Sequence, residues 1–278
     1  MTQTVSRAHA KVKVLDSCDP VWSRITAEAE EVVSREPELS SFVFTNVLNH
    51  KKLEDAISLR LAQLLGTADV GALQLRTVFC EALEADSNIG AAIRADIVAI
   101  HDRDPACHRY LAPVLYFKGF HAVQTSRITN WLWRQGRQDF ATYIQSRASA
   151  GFGVDIHPGA SVGRGIMIDH ATGVVIGETA VVEDDVSILH GVTLGGTGKE
   201  GGDRHPKVRR GVLLGAGAII LGNIEVGECA KVASGSVVLH DVPANRTVAG
   251  VPAKVVGYSG CDEPARKMDH MIEESGAE

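Results

Sequence analysis

The chain has 278 residues, of which 45% are apolar and 22% charged; this excludes an intrinsically disordered chain and allows one or two domains with a sizeable core. A formal charge of −6 and a pI near 6.0 exclude a general attraction for nucleic acid or an anionic membrane, although a local basic cluster could hold a phosphate. The five cysteines, Cys18, Cys80, Cys107, Cys229 and Cys261, form no CxxC pair and no even framework, which excludes a zinc ribbon and a disulfide scaffold.

The N-terminal MTQTVSRAHAKVKVLDSC has no apolar leader region, and no apolar run is long enough to span a bilayer, so a soluble, cytoplasmic protein is expected. The first predicted helix is DPVWSRITAEAEEVV, with Asp19 at the N-cap and Pro20 in the first turn. The second is LEDAISLRLAQLLG, where Leu53, Ile57, Leu61, Leu64 and Leu65 fall on one side before Gly66. Further helices are predicted over 72–85, 89–102, 113–135 and 137–149. Residues 1–150 therefore read as an all-α domain.

From 151 the composition shifts to glycine and β-branched residues, and the pattern counts in sixes. Aliphatic residues fall at Ile156, Val162 and Ile168, then after a two-residue slip at Ile176, Val182, Ile188 and Leu194, and again at Leu214, Ile220, Val226, Val232 and Val238. A second small or aliphatic residue follows four places after most of them, as at Ala160, Ile166, Ala180 and Ala218. A six-residue period is one side of a triangular β-helix, with the repeated aliphatics stacked inside. The segment 195–211, GGTGKEGGDRHPKVRRG, breaks the count and reads as a loop thrown out from the coil. The expected fold class is α+β in several parts: the helical domain, a parallel β-helix over 151–257, and a C-terminal tail over 258–278.

Within the coil, Ile166–Gly177 reads IMIDHATGVVIG, with an Asp and a His inside an aliphatic run. Ile168 and Ile188 begin the same side on successive coils, so His170 and His190 should stack roughly 4.8 Å apart on the outer wall. Asp155 is expected near His170, and Arg204 and His205 lie on the ejected loop. A lone His on a solenoid surface is usually only solvated, Asp169 alone would turn a corner, and the basic loop alone would be a solvated loop. Their convergence points instead to a site. Metal-dependent hydration of the γ-carbonic anhydrase type needs a His triad around zinc; the H-x4-H pair of that family is missing, since none of the eleven histidines is followed by another five residues later, so no metal centre is expected. Acyl transfer from coenzyme A to a small nucleophile, with a neutral His as base, is the other chemistry suited to such coils.

The run VDIHPGASVGRGIMIDHATGVVIGETAVVEDDVSILHGVTLGGTGKEGGDRHPKVRRGVLLGAGAIILGNIEVG closely resembles the bacterial serine O-acetyltransferase family. Upstream, IRADIVAIHDRDPA and PVLYFKGFHAVQTSRITNWLW resemble its helical domain, and the similarity covers roughly residues 20 to 257. Hexapeptide acetyltransferases acting on sugars or antibiotics share the coil without this helical half and are the alternative.

The resemblance implies a left-handed coil and O-acetylation of L-serine by acetyl-CoA, with acetyl-CoA as cosubstrate and no metal. It implies His170 as general base oriented by Asp155, His205 as a further catalytic residue, and no acyl-enzyme. Asp104 and Asp169 would hold the substrate ammonium, and Arg204 and His205 its carboxylate. Gly196, Ala216 and Ser234 would let the pantetheine arm approach the backbone. The family pattern further implies a homo-hexamer built as a dimer of trimers, active sites between adjacent subunits, and feedback inhibition by L-cysteine. Two departures stand out. His190 replaces the Gln of many relatives, where a second imidazole could lower the proton affinity of His170. The chain ends MIEESGAE rather than in Ile, which puts docking to O-acetylserine sulfhydrylase in doubt.

Overall fold

A computed structural model describes residues 19–198 and 201–272. The last six residues, which carry the acidic chain end, lie outside the described residues, as does Cys18. Among the described residues no helix is long and apolar enough to cross a membrane.

The helical half runs α1 (Pro20–Arg35), α2 (Ser40–Val43), α3 (Leu53–Leu65), α4 (Ala72–Ala85), α5 (Ser87–Arg103), α6 (Leu111–Tyr116), α7 (Lys118–Arg134) and α8 (Gln138–Phe152). Asp19 caps α1 as expected, its Oδ1 accepting from the amides of Val21 and Trp22 at 3.1 and 3.2 Å. Its other oxygen accepts from Arg94 at 2.7 Å, and Arg94 also reaches Glu54 at 2.6 Å, so one guanidinium ties α1 and α3 to α5.

Two expectations need correction here. The stretch 37–48, unassigned from sequence, forms a 3₁₀ turn, α2 and a π turn at Phe44–Leu48, with only Val43 and Val47 as its fully buried apolar residues. So few turns cannot display a period. The helix expected over 113–135 divides at Phe117, whose φ of −88° and ψ of 108° are extended. That break swings Gly119 onto the first coil, where an added Cβ would stand 2.2 Å from the Ile168 carbonyl oxygen.

The second half is a parallel β-solenoid with three faces. The first face stacks β1 (Val154–Ile156), β4 (Val174–Ile176), β7 (Thr193–Gly195), β10 (Ile219–Leu221) and β13 (Val237–Val238). The second stacks β2 (Ser161–Val162), β5 (Val181–Val182), β8 (Lys207–Val208) and β11 (Glu225–Val226). The third stacks β3 (Met167–Ile168), β6 (Ser187–Ile188), β9 (Leu213–Leu214), β12 (Lys231–Val232), β14 (Arg246–Gly250) and β15 (Ala253–Tyr258). All ladders are parallel except the closing β14–β15 pair. The expected aliphatics pair in register, Ile156 with Ile176 and Leu194 with Ile220, and form the interior columns.

The ejected loop is shorter than expected. Lys207–Val208 is already strand β8, and Val208 is fully buried between Val182 and Val226. The hexapeptide register therefore resumes at 208. Its single apolar residue is flanked by Lys207, Arg209 and Arg210, whose outward side chains imitate a loop in composition. The segment after Tyr258 returns to the coil through α9 (Pro264–Lys267): Ala265 is buried and its carbonyl accepts from Ser187 Oγ at 2.8 Å.

The helical half covers the edge of the first coil through polar contacts. Asp96, fully buried on α5, accepts from Ile166 N at 2.8 Å, Gln124 Nε2 at 2.8 Å and Arg127 at 2.6 Å. Arg127 donates onward to the carbonyls of Val162 and Gly163. Arg103 reaches the Gly165 carbonyl at 3.0 Å, Ser187 Oγ at 3.1 Å and Asp185 at 3.2 Å. These bonds satisfy the edge backbone that an open solenoid would expose.

His121, beneath this seam, is buried with Nε2 2.8 Å from the Val114 carbonyl. Burial pushes its pKa down to about 4. Because the unfolded chain binds this proton first, the stabilisation is complete above about pH 6.5 and is lost as pH falls toward 4, a change of about 3 kcal/mol. Urea titrations at pH 7 and pH 4.5 should show His121→Gln losing markedly less stability on acidification than the parent. Equal losses in both would contradict this.

Candidate active site

The two-residue slip in the repeat is the corner Asp169–Gly173 between β3 and β4. His170 and Ala171 there adopt φ of 54° and 60°, left-handed conformations uncommon for residues with a Cβ. The consequence is a division of side chains. Ala171 is wholly buried against Gly119, whereas the His170 side chain is 75% exposed. Its Nε2 lies 3.6 Å from Asp169 Oδ2. His190 is its neighbour on the next coil, edge to face with ring centroids 5.9 Å apart. The separation exceeds strand spacing because the extra corner residues bring Thr172, not His170, under His190 on the far side of the turn.

His170 and Asp169 border a cleft of about 440 Å³ that also takes in Asp104, Lys118 and the apolar residues Ile100, Phe117, Phe120 and Met167. Asp104 caps the end of α5, and its Oδ1 accepts from Ala106 N at 2.8 Å, leaving Oδ2 for another donor. Lys118, at the start of α7, donates to Thr172 Oγ1. Two carboxylates and an imidazole, with the Lys118 ammonium drawn off to Thr172, in a cleft otherwise lined mainly by apolar residues suit a small ammonium-bearing acceptor and a proton transfer.

Arg204 and His205 stand at a different corner, beyond the first face. Arg204 pairs with Glu178 at 2.7 Å, which holds the Glu178 carboxyl below its usual range. His205 is buried, its Nδ1 3.2 Å from Thr179 N and 2.9 Å from Thr179 Oγ1. Thr179 Oγ1 also accepts from the amides of Arg204 and His205 at 3.0 and 3.1 Å. Burial first, and then the Arg204 charge, lower the proton affinity of His205. Gly177 makes the seat for its ring, since an added Cβ would fall 2.0 Å from Cδ2. His157 completes the group, edge-on to Trp133 at 5.0 Å, with burial lowering its proton affinity.

The expected contact between Asp155 and His170 is absent within one chain. Gly173 N bonds to the Gly153 carbonyl, so Asp155 pairs with Val175 on the first face, five residues past His170. Its Oδ1 instead accepts from Gln145 Nε2 at 2.7 Å. Thus the structure brings together Asp104, Asp169 and His170, and separately Arg204 and His205, with Asp155 on the wall between the two corners. Of the residues expected along the pantetheine, Ala216 and Ser234 continue the His190 edge. Gly217 N bonds to the His190 carbonyl at 2.9 Å and Gly235 N to the Ala216 carbonyl at 2.8 Å. Gly196 lies at the other corner, where an added Cβ would meet Arg204 Cγ at 3.4 Å. Sequence reasoning missed Thr179, Gly177 and Lys118. The hexapeptide count marks only inward positions, so nothing in it singles out these outward or corner residues.

Residues 21–125 match the family described as serine acetyltransferase, N-terminal. The serine acetyltransferase of Salmonella typhimurium is 54% identical over 249 residues, covering 90% of this chain and 91% of its own. The crystal structure of serine acetyltransferase in complex with coenzyme A from Brucella abortus is 58% identical with a TM-score of 0.87, covering 89% of this chain and 99% of that one. A serine acetyltransferase solved in complex with cysteine is 51% identical with a TM-score of 0.89, covering 91% of this chain and 98% of that one. With identity above one half across nearly the whole length of both sequence and fold, the chain belongs to the serine acetyltransferase family.

Proposed function

We propose that the protein transfers acetyl from acetyl-CoA to the hydroxyl of L-serine, giving O-acetyl-L-serine and CoA in cysteine biosynthesis. The observation that carries this reading is the exposed His170 imidazole at the mouth of the cleft holding Asp104 and Asp169. A serine hydroxyl is too weak an acid to ionise at neutral pH, so the base must take its proton as the new bond forms. His170 accepts that proton while the serine oxygen attacks the thioester carbonyl. Collapse of the tetrahedral adduct breaks the C–S bond, and the imidazolium returns the proton to the departing thiolate. Asp104 and Asp169 hold the ammonium, and Arg204 and His205 meet the carboxylate. L-cysteine carries the same ammonium and carboxylate, which accounts for feedback inhibition at the serine site.

The two groups of residues occupy different corners of the solenoid, Asp169 and His170 after β3 and Arg204 and His205 between β7 and β8, and this supports a site shared between copies. One copy supplies His170, Asp169 and Asp104; the next supplies Arg204 and His205, with Asp155 alongside to orient the imidazole. Gly196 on one side and Ala216 and Ser234 on the other then flank a single pantetheine groove. A trimer of coils, paired through the helical halves into a hexamer, satisfies this geometry. A cytoplasmic location suits the free thiols of Cys80, Cys107, Cys229 and Cys261.

Subunit complementation tests the reading. His170→Asn and Arg204→Ala are each expected to be poorly active at low serine, the second through a KM for serine raised on the order of tenfold or more. Co-expressed in equal amounts, they leave one shared site in four intact, so about a quarter of parental activity should return. A mixed assembly no better than the mean of its parents would show that both groups serve one chain.

A further inference from the structure

His205 is held by donors on one side only. The Thr179 backbone N–H points at Nδ1 from 3.2 Å, and a backbone amide has no alternative to donating. The Thr179 hydroxyl lies 2.9 Å from the same nitrogen and its oxygen accepts from the amides of Arg204 and His205; because the Asp203 carboxylate is also within its hydrogen-bond reach, it is the backbone N–H that fixes Nδ1 as the acceptor. Nδ1 must therefore carry a lone pair, and the neutral ring keeps its proton on Nε2. An imidazolium there would set an Nδ1–H against the Thr179 N–H. Nε2 has no hydrogen-bond partner among the described residues and is not sealed from solvent. The charged groups facing the ring are Arg204, Lys207 and Glu178, with His157 nearby.

We propose that Thr179 is a positioning residue that fixes His205 as a neutral imidazole with its proton on Nε2, so that this corner offers the acceptor's carboxylate a hydrogen-bond donor. His205 is then neither a base nor a second cation, and proton acceptance falls to His170 alone. Thr179 acts twice: it selects the tautomer, and through Oγ1 it anchors the backbone of Arg204 and His205 so that both side chains leave the loop in fixed directions. The proposal rests on the reading of His205 as a contact for the acceptor's carboxylate.

The full-length protein labelled with ¹⁵N in histidine tests the tautomer without reference to activity. Long-range ¹H–¹⁵N spectra at neutral pH, with His205 assigned from the signals lost in His205→Gln, should show a protonated Nε2 and an unprotonated Nδ1. A protonated Nδ1 overturns the proposal. The positioning role is tested by Thr179→Val, which keeps the backbone donor but removes the hydroxyl. KM for serine should rise about tenfold while KM for acetyl-CoA holds, and the thermal midpoint should fall somewhat because two amides lose their acceptor. Thr179→Ser should restore the parental KM. If His205→Gln raises KM for serine and Thr179→Val does not, Thr179 is not the positioning residue. If neither variant moves it, the assignment of His205 to the acceptor is what fails.

Discussion

Replacing His170 with Asn is expected to lower kcat by about 100-fold or more, the lower end of what a general base contributes, equivalent to about 2.7 kcal/mol of transition-state stabilisation. Asn is the informative substitution because His170 sits at φ 54°, a left-handed conformation that Asn tolerates better than other residues with a Cβ. The corner, and with it the buried Ala171, should keep its shape. Asn has no nitrogen able to take a proton near neutral pH. Acetyl-CoA binding, measured by calorimetry without serine, should stay within about twofold of the parent, because the side chain leaves the corner toward the acceptor cleft. A variant retaining more than about a third of parental turnover would remove His170 from the role of base.

The largest stability loss is expected from Asp96→Ala. Asp96 is fully buried and satisfies three partners from both halves of the molecule: Ile166 N, Gln124 and Arg127. Removing it leaves the Arg127 guanidinium, itself 6% exposed, buried without its counter-ion, and leaves an edge amide of the first coil without an acceptor. Breaking one partner of such a pair costs about 3–5 kcal/mol, whereas removing both is often far milder. Chemical denaturation should therefore show Asp96→Ala as more damaging than the double variant Asp96→Ala/Arg127→Met, because the double variant leaves no orphaned charge. A loss below about 1 kcal/mol for Asp96→Ala would mean that water or a local shift replaces the carboxylate, and that the seam does not depend on it.

This seam also separates what a linear pattern can reveal from what it cannot. The interior of the coil was legible because each inward position repeats every six residues and admits only an aliphatic side chain; Ile176, Leu194 and Ile220 fall where the count puts them. The helices at 53–65 and 72–85 were legible for the same reason, a period set by local backbone geometry. DHATG and GDRHP carried the chemistry through resemblance. Asp96, by contrast, reads as one more polar residue on an amphipathic helix, and only the docking of α5 onto the coil turns it into a buried hub.

The placement of the site residues was decided in the same way. Sequence spacing brought Asp155 toward His170, but the two extra residues at the DHATG corner shift the register, so that Gly153 stacks on Gly173 and Asp155 meets Val175. Val208 was lost in a basic segment until its burial between Val182 and Val226 identified it as a strand residue. The sequence by itself therefore determined the period, the two-part architecture and the family. Tertiary structure alone decided which corners the polar residues occupy and who their partners are. Periodicity follows from steric constraints that act between near neighbours along the chain. A hydrogen bond such as that from Thr179 to His205 joins segments 26 residues apart, and it exists only once the coil has stacked and the loop has folded back over Gly177.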